Sequence, residues 1–386
     1  MKRIYLDFAA TTPVEQRVID AMLPYFKENF GNPSSVHRFG QVSEKALDES
    51  RRSIAANLGA DPSEIIFTSC GSESDNLAIR GAALARRAKF GHKHILISPI
   101  EHPAVQVTVD QLVEIHGFEA SYLPVDQQGQ ADHKNIDKYL REDTAIVSIM
   151  AANNEIGTIN NLRKIAQACT ERKIPFHTDA VQYAAHHEID VNTLGVDLVS
   201  LGAHKFYGPK GVGALYVRAG TDLLPAQTGG SQEFGLRAAT ENIPLIVGMA
   251  KAFQLVIEEG AERQERLIPL RDKIIDFVLE EIPNSQLTGA LPSNRLPNHA
   301  SFVFEGIDGN LLIQTLDSEG FACSSGSACK TGDPKPSSVL TRLGYPPKWA
   351  LGSLRVTLGK DTTLAEVDQF LKGLPGCIQR VMEASQ

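Results

Sequence analysis

The stretch SLGAHKFYGPKGVGALYV, residues 200–217, contains the features that decide the fold. An apolar run leads to Lys205, a glycine-proline turn follows, and GALYV at 213–217 is a second short apolar run. Short apolar runs bounded by glycine or proline are typical of buried β-strands. In an open α/β sheet, a lysine at the carboxyl end of a strand faces the crevice where ligands bind. The stretch therefore predicts a sheet protein with a candidate functional lysine at a strand end.

Short apolar runs and helical patterns alternate over the first two thirds of the chain. Strands are predicted at 65–69, 94–98, 145–152, 175–180, 197–205 and 213–217. Helical periodicity covers 42–58, 103–115 and 162–172. Strands that alternate with helices predict an α/β fold with a largely parallel central sheet.

The pattern changes near residue 255. A long helical pattern runs from about 244 to 281, with Pro269 as an expected kink. Weaker strands and a terminal helix follow, and a chain of 386 residues is long for one hydrophobic core. We expect a large domain over 15–255, and a smaller α+β domain built from 1–14 and 256–386.

Composition and charge argue against several classes of protein. The chain has 42% hydrophobic and 22% charged residues and a net charge of -8. This acidic balance argues against nucleic acid or an anionic membrane as the main partner. No window approaches the roughly 18 apolar residues of a membrane span. Five cysteines are a sparse and odd set for a disulfide framework, so we expect a cytoplasmic protein.

Common nucleotide and metal motifs are absent from the sequence. No G-x-G-x-x-G follows a strand, and no G-x-x-x-x-G-K-[ST] is present. There is no C-x-x-C or H-E-x-x-H, and we expect no metal site. His92 and His94 alternate on a predicted strand without a third ligand, so we interpret them as surface histidines.

Two further strand ends carry side chains that could act together with Lys205. Alone, Lys205 is more often a surface lysine, whereas a Schiff-base lysine must be partly desolvated to act as a nucleophile. Asp179 closes the strand in HTDAVQ (177–182) and suits a protonated pyridinium nitrogen. His102 in SPIEHPAV (98–105) is placed to stack on a flat ring.

A fourth strand end, in TSCGSESDNLAIRG (68–81), breaks at Gly71 and Ser72, where a helix begins. Loop amides, a hydroxyl and the helix dipole together suit a phosphate dianion. Ser72 with Asp75 also fits a capping box, which would make the segment only a helix start. Because four strand-to-helix junctions carry the parts of one pyridoxal-phosphate site, the functional interpretation is favoured.

Nine motifs in order along nearly the whole chain strengthen this interpretation. They are IYLDFAATTP (4–13), FGNPSSVHRFG (30–40), FTSCGSESDNLAI (67–79), EHPAV (101–105), NNEIGT (153–158), HTDAVQ (177–182), AHKFYGPKGVGALYV (203–217), LRAATEN (236–242) and SSGSAC (324–329). In this series the sequence resembles the cysteine desulfurases, within the class V, fold-type I group of pyridoxal-phosphate enzymes. The resemblance implies a large domain with a mostly parallel sheet and a smaller α+β domain.

The resemblance also implies a role for each matched site residue. The cofactor would be pyridoxal 5'-phosphate, carried covalently by Lys205. Asp179 would contact its ring nitrogen, Gln182 would contact its phenolic oxygen, and His102 would stack on its ring face. Its phosphate would be bound by Gly71, Ser72 and His204. Thr240 would reach the phosphate of the neighbouring subunit, which implies a homodimer. Asn154, beside the cofactor, and Arg355 would hold the carboxylate of L-cysteine, although Arg355 alone would more often form a surface ion pair.

The sequence departs from the family pattern at two positions. Many members have a serine that donates to the phosphate three residues before the lysine, where this chain has Gly202. That hydroxyl contact is therefore in doubt. Cys70 stands where glycine is common, and we interpret its thiol as a packing group.

The segment FACSSGSACKTGDPKP, residues 321–336, contains the proposed sulfur carrier. By resemblance Cys329 is the nucleophile that takes the sulfur as a persulfide, and His102 assists with protons. Gly332, Pro334 and Pro336 interrupt helix formation, so we expect a movable loop over about 321–337. Cys323 has no catalytic role by the same match, and Cys169 and Cys377 are interpreted as packing thiols.

The expected reaction converts L-cysteine to L-alanine and passes the sulfur to an acceptor or scaffold protein. The motif around Cys329 resembles the branch of the family that serves iron–sulfur assembly. One alternative is a selenocysteine lyase or other C–S lyase, which would not require Cys329. A second is an inactive partner protein on the same fold, which would require the loss of Lys205 or Asp179.

Overall fold

The structure, a computed structural model, describes residues 3–326 and 336–384. The described strands are β1 Ile4–Tyr5, β2 Ile65–Thr68, β3 His94–Ile97, β4 Glu119–Tyr122, β5 Thr144–Ser148, β6 Phe176–Asp179, β7 Leu198–Gly202, β8 Gly213–Val217, β9 Ser285–Leu287, β10 His299–Phe304, β11 Phe321–Ala322 and β12 Ser353–Thr357. The described helices are α1 Gln16–Met22, α2 Pro24–Lys27, α3 Arg38–Leu58, α4 Gly71–Phe90, α5 Pro103–His116, α6 Leu162–Glu171, α7 Val191–Leu194, α8 Ile243–Glu281, α9 Gly309–Ser318, α10 Ser338–Arg342, α11 Pro347–Ala350 and α12 Leu364–Ala384.

A seven-stranded sheet forms the centre of the molecule, in the order β2-β8-β7-β6-β5-β3-β4. Strand β8 is antiparallel to both neighbours, and the other pairs are parallel. Six of the seven strands are buried along their whole length, since helices cover both faces. The prediction of an α/β fold with a mostly parallel sheet is confirmed.

Two features of this sheet were not foreseen. Strand β4, EASY, lies at the edge and is partly exposed, so it carries no apolar run. The prediction that His94 is a surface residue is wrong, because His94 is fully buried in β3. Its Nδ1 lies 2.9 Å from the Thr144 hydroxyl of the adjacent strand, which satisfies one ring nitrogen.

A second, smaller hydrophobic core surrounds a three-stranded antiparallel sheet, β12-β10-β9. Strand β1 pairs with β11 and places Ile4 and Leu6 in this core. Helix α8 runs unbroken through Pro269, with its first half in the large core and its second half in the small one. These contacts support our proposal of domains at 15–255 and at 1–14 with 256–386; a kink at Pro269 stays a prediction.

The parallel strands bring the predicted site residues to one edge of the large sheet. Strands β2, β3, β5, β6 and β7 all end at this edge, because their directions are the same. Within residues 3–326 and 336–384, no helix has the length and hydropathy needed to cross a membrane. Within the same ranges, no three His, Cys, Asp or Glu side chains are grouped to hold a metal ion.

Candidate active site

A cavity of about 210 Å³ opens at the carboxyl edge of the large sheet. Eight of the residues predicted from the sequence line it: Gly71, Ser72, His102, Asn154, Asp179, Gln182, His204 and Lys205. Five further residues complete the lining: Cys70, Asp75, Met150, Ala152 and Val181. The structure therefore brings these residues from separate strand ends to one cavity.

Lys205 ends a short 3-10 turn, Ala203–Lys205, that directly follows β7. Its Nζ donates to the backbone oxygens of Ala9 (2.6 Å) and Ala10 (2.9 Å). Burial and the nearby Arg355 lower the pKa of Lys205 to about 8, against the opposing effect of Asp179. A substantial fraction of the amine is therefore neutral, and able to act as a nucleophile or base, near neutral pH.

Asp179 is the last residue of β6 and lies buried at the floor of the cavity. One carboxylate oxygen accepts from the Val181 backbone amide at 2.9 Å. Burial raises the pKa of Asp179, while His102, the Val181 amide and Lys205 oppose the shift. A buried carboxylate of this kind requires a cationic or hydrogen-bonding partner to remain ionised.

His102 is the N-cap of helix α5, and its ring faces the same cavity. Its Nδ1 accepts from the Ala104 backbone amide at 3.1 Å. In the neutral ring this contact assigns the proton to Nε2. Burial and the nearby Lys205 lower the pKa of His102, against the opposing effect of Asp179.

The start of helix α4 lines one side of the cavity. Its N-cap is Cys70, whose sulfur accepts from the Glu73 amide at 3.4 Å. The alternative of a capping box between Ser72 and Asp75 is therefore wrong, and Ser72 lies in the first turn. The interpretation of Cys70 as a packing thiol is also wrong, because its sulfur caps the helix.

The family assignment follows from comparison of the whole chain. A sequence profile described as aminotransferase class-V matches residues 4–370. The chain belongs to the class-V aminotransferase family. A cysteine desulfurase IscS of Dictyoglomus turgidum is 48% identical over 386 residues, covering 100% of this chain and 97% of the relative. A cysteine desulfurase IscS of Methanosarcina thermophila is 46% identical over 384 residues, covering 100% of this chain and 94% of the relative.

Solved structures of the class-V family show the same fold. A NifS-like protein aligns with a TM-score of 0.90 and 35% identity, covering 98% of this chain and 100% of that one. SspA in complex with cysteine aligns with a TM-score of 0.79 and 35% identity, covering 93% of this chain and 99% of that one. Among class-V proteins, the chain belongs with the cysteine desulfurases.

Arg355 lies on strand β12 of the smaller sheet. It is buried, and its two terminal nitrogens donate to the Asn154 carbonyl and to an Asp7 carboxylate oxygen, each at 2.9 Å. Its Nε is buried without a hydrogen-bond partner in the described residues. The expectation of a surface ion pair for Arg355 alone is thus wrong, since Arg355 is buried and its partner Asp7 is largely covered.

Little space surrounds Gly71 and Gly202, the two glycines at the strand ends beside Val181. A Cβ at Gly71 would lie 2.7 Å from Val181 Cγ2, so a side chain there would require that valine to move. A Cβ at Gly202 would lie 3.3 Å from Val181 Cγ1 and 3.5 Å from the Gly71 amide nitrogen. A serine at position 202 would therefore nearly fit.

Gln182 and His204 also line the cavity and are hydrogen-bonded to the N-terminal segment. Gln182 donates to the Ala9 carbonyl at 2.9 Å, the same oxygen that accepts from Lys205. His204 Nδ1 lies 3.1 Å from the Thr11 hydroxyl. Burial and the nearby Lys205 lower the pKa of His204 to about 4, so its ring is neutral at physiological pH.

Of the predicted site residues that the structure describes, Arg355 and Thr240 do not line the cavity. Thr240 is exposed and lines a separate depression with Tyr25 and Phe30. Cys329 lies outside the described residues. Cys323 is buried, and burial raises the pKa of its thiol.

Three carboxylates in or near the cavity were missed from the sequence, and two of them, Asp75 and Glu101, are buried. Asp7 pairs with Arg355, and Asp75 lies 3.6 Å from His177 Nε2. Glu101 accepts from the Met150 amide at 2.9 Å, and burial raises its pKa to about 8. The signal available in the sequence was an acidic residue beside an apolar run.

Proposed function

We propose that this chain is a pyridoxal-phosphate-dependent cysteine desulfurase. It converts L-cysteine to L-alanine and transfers the sulfur for iron–sulfur cluster and other sulfur-cofactor biosynthesis. One observation carries the proposal: a partly buried lysine whose pKa is lowered to about 8 shares a cavity with Asp179 and His102. Such a lysine has the reactivity that a carbonyl cofactor requires.

The side chains around the cavity fit pyridoxal 5'-phosphate. The Lys205 amine suits an aldehyde, and the buried Asp179 carboxylate suits a protonated ring nitrogen. The first turn of α4 offers backbone amides and the Ser72 hydroxyl to a phosphate dianion. His204 would add a contact to that phosphate, Gln182 would meet the phenolic oxygen, and His102 would cover the ring.

Bound there, the cofactor supplies an electron sink that stabilises negative charge at the substrate Cα. Arg355 and Asn154 would hold the substrate carboxylate, and the planar guanidinium of Arg355 suits two-point contact. Lys205, in its neutral form, takes the proton from Cα. The Nε2 proton of His102 is available to a group on the cavity side.

Sulfur transfer requires the thiolate of Cys329. It attacks the substrate sulfur, a sulfur–sulfur bond forms, and the carbon–sulfur bond breaks. The electron pair of that bond stays with the carbon skeleton, which takes up a proton and leaves as L-alanine. The enzyme sulfur is oxidised to a persulfide, the substrate carbon is reduced, and an acceptor protein then takes the terminal sulfur.

The homodimer is part of the same proposal. Exposed apolar side chains cluster between residues 23 and 42: Leu23, Phe26, Phe30, Val36, Phe39 and Val42. We refer to this set as the apolar surface. Phe30 also lines the depression that contains Thr240, which supports a second copy of the chain covering both. Cytoplasmic action is supported by four free described cysteines.

Mass spectrometry after incubation of the holoenzyme with L-cysteine tests this function. We expect one added sulfur atom on the peptide that contains Cys329, and none on the peptide that contains Cys323. Cys329→Ala should lose at least about 99% of the alanine-forming rate, whereas Cys323→Ala should retain it. Sulfide release by Cys329→Ala at the wild-type rate would instead identify a C–S lyase.

A further inference from the structure

Glu155 lies at the point where the two chain segments that flank Cys329 come together. In the segment that follows Cys329 (the far side), the Ser337 hydroxyl donates to Glu155 Oε2 at 2.5 Å. In the segment that precedes Cys329 (the near side), an added Cβ at Gly326 would lie 2.7 Å from the same oxygen and 3.2 Å from Ser337 Cβ. Glu155, Gly326 and Ser337 therefore form one contact, which we call the stem cluster.

Each flanking segment is also fixed to a regular element. Ser337 is buried, and its hydroxyl accepts from the Leu340 amide at 3.2 Å as the N-cap of α10. On the other side, the Gly326 amide donates to the Ser353 hydroxyl at 3.2 Å. The stem cluster therefore joins the first residues of α10 to the start of β12.

The near segment also contacts the arginine proposed to hold the substrate carboxylate. Ser324 and Arg355 exchange two backbone hydrogen bonds, of 2.7 and 3.2 Å. The Arg355 guanidinium in turn donates to the carbonyl of Asn154, the residue before Glu155. The stem cluster and the proposed substrate site therefore share one short segment of backbone.

Glu155 is held on a rigid turn. The Asn153 side chain accepts from the Glu155 amide at 2.8 Å and from the Ile156 amide at 3.1 Å. It also donates to the Ile100 carbonyl at 3.0 Å. Gly157 follows with φ +74°, and a Cβ there would lie 2.7 Å from the buried ring of His299. The carboxylate is thus presented from a turn that has little freedom to move.

The charge of Glu155 has little compensation. Among the described residues no lysine, arginine or histidine nitrogen forms an ion pair with its carboxylate, and burial raises its pKa. The nearby Arg355 is already occupied by Asp7 and the Asn154 carbonyl. A partly buried carboxylate without a cationic partner costs free energy. A role beyond stability would explain why an acid stands at this position.

We propose that Glu155 is a positioning residue for sulfur transfer: it holds the two segments that flank Cys329 in register with the substrate-binding backbone of Asn154 and Arg355. This inference rests on the proposed function, because Cys329 has a role only if the chain is a desulfurase. Glu155 is not among the residues that line the cavity of Lys205. Its effect should therefore fall on the step that forms the persulfide and leave substrate binding intact.

Single-turnover experiments with the holoenzyme separate the two steps. The change in cofactor absorbance after mixing with L-cysteine reports the early step. Rapid quenching followed by mass spectrometry reports the sulfur adduct on Cys329. For Glu155→Ala we expect adduct formation to slow at least tenfold, with the absorbance change within about twofold and KM within about threefold of wild type.

Three further variants separate positioning from general damage. Glu155→Gln should keep the adduct rate within about threefold, because its amide oxygen still accepts from Ser337. Gly326→Ala should slow the adduct, yet add little in the Glu155→Ala background, since the shortest contact of the added Cβ, with Glu155 Oε2, is then absent. Glu142→Ala, an exposed glutamate, is the matched control and should behave as wild type.

The rate of trypsin cleavage in the wild-type protein and in the Glu155 variants is a readout that does not depend on activity. Lys330 is the cleavable lysine between the two segments, because Lys335 precedes Pro336. Cleavage after Lys330 should be faster in Glu155→Ala than in Glu155→Gln, with equal thermal midpoints.

The outcomes distinguish the two proposals. No sulfur adduct on wild-type Cys329 would overturn the proposed function. An adduct that forms in Glu155→Ala at the wild-type rate would overturn only the role of Glu155. Equal slowing of the early and late steps in both Glu155 variants would also overturn it, in favour of a purely structural role.

Discussion

At the scale of single residues, the surroundings of Lys205 determine its chemistry more than its position in the sequence. The sequence places a lysine at a strand end, which is also common for surface lysines. Burial and the charge of Arg355 lower its pKa to about 8. Both causes are contacts between distant parts of the chain. No local pattern around residue 205 contains them.

This shift predicts a specific pH dependence for capture of the cofactor by the apoprotein. Only the neutral amine attacks the aldehyde, so the rate should rise with pH through a midpoint near 8. An exposed lysine would give a midpoint near about 10.4. Stopped-flow absorbance after mixing apoprotein with pyridoxal phosphate, over a pH series, measures this midpoint.

Arg355→Leu provides the internal check on that midpoint. Removal of a nearby positive charge should raise the pKa of Lys205, and the midpoint should move upward. A midpoint near 10 in the unmodified protein would contradict the effect of burial. A midpoint unchanged by Arg355→Leu would contradict the effect of the neighbouring charge.

At the scale of elements, apolar runs were sufficient to predict the strands of the site. The run at 213–217 matches β8 residue for residue, and β2, β3 and β6 end within one residue of prediction. These strands are buried on both faces, so hydrophobicity alone identifies them. The short strands β1 and β11 were missed, because their pairing joins residues more than 300 positions apart. Arg355 and Asp7 are brought together by another long-range bridge, between Asp7 and Thr357.

A buried ion pair fixes the segment that carries Thr240. Arg51 on α3 binds both carboxylate oxygens of Glu233 at 2.8 Å, and Glu233 also accepts from the Phe67 amide at 2.7 Å. Glu233 and Phe234 have φ of 47° and 58°, values that side chains rarely adopt. The ion pair therefore holds a strained turn against the sheet.

Loss of one partner of this pair should be strongly destabilising. Glu233→Ala leaves Arg51 buried and uncompensated, and should cost about 3–5 kcal/mol in free energy of unfolding. Denaturant unfolding of the apoprotein at fixed concentration measures the loss. The double variant Arg51→Met with Glu233→Leu is the matched control and should recover most of it. A cost for Glu233→Ala below about 1 kcal/mol would show that the turn holds without the pair.

At the scale of the whole molecule, the cavity contains most of one site but not Thr240. That residue lies in a depression of about 340 Å³ beside the apolar surface. The rings of Phe30 and Phe39 there lie 5.7 Å apart and remain 65% and 57% exposed. Exposed aromatic clusters of this kind mark interaction surfaces. A second copy of the chain would bury them and bring its own Thr240 to the first cavity.

Charges placed on the apolar surface should therefore separate the subunits and weaken cofactor binding together. We expect Phe30→Glu with Phe39→Glu to be monomeric by sedimentation at micromolar concentration, where wild type is dimeric. Each monomer then lacks the partner's threonine, so the dissociation constant for pyridoxal phosphate should rise at least tenfold. Ile115→Glu is the control, since Ile115 is 67% exposed on α5, outside the apolar surface. A double variant that stays dimeric would place the interface elsewhere, and a monomer with wild-type cofactor affinity would remove Thr240 from the site.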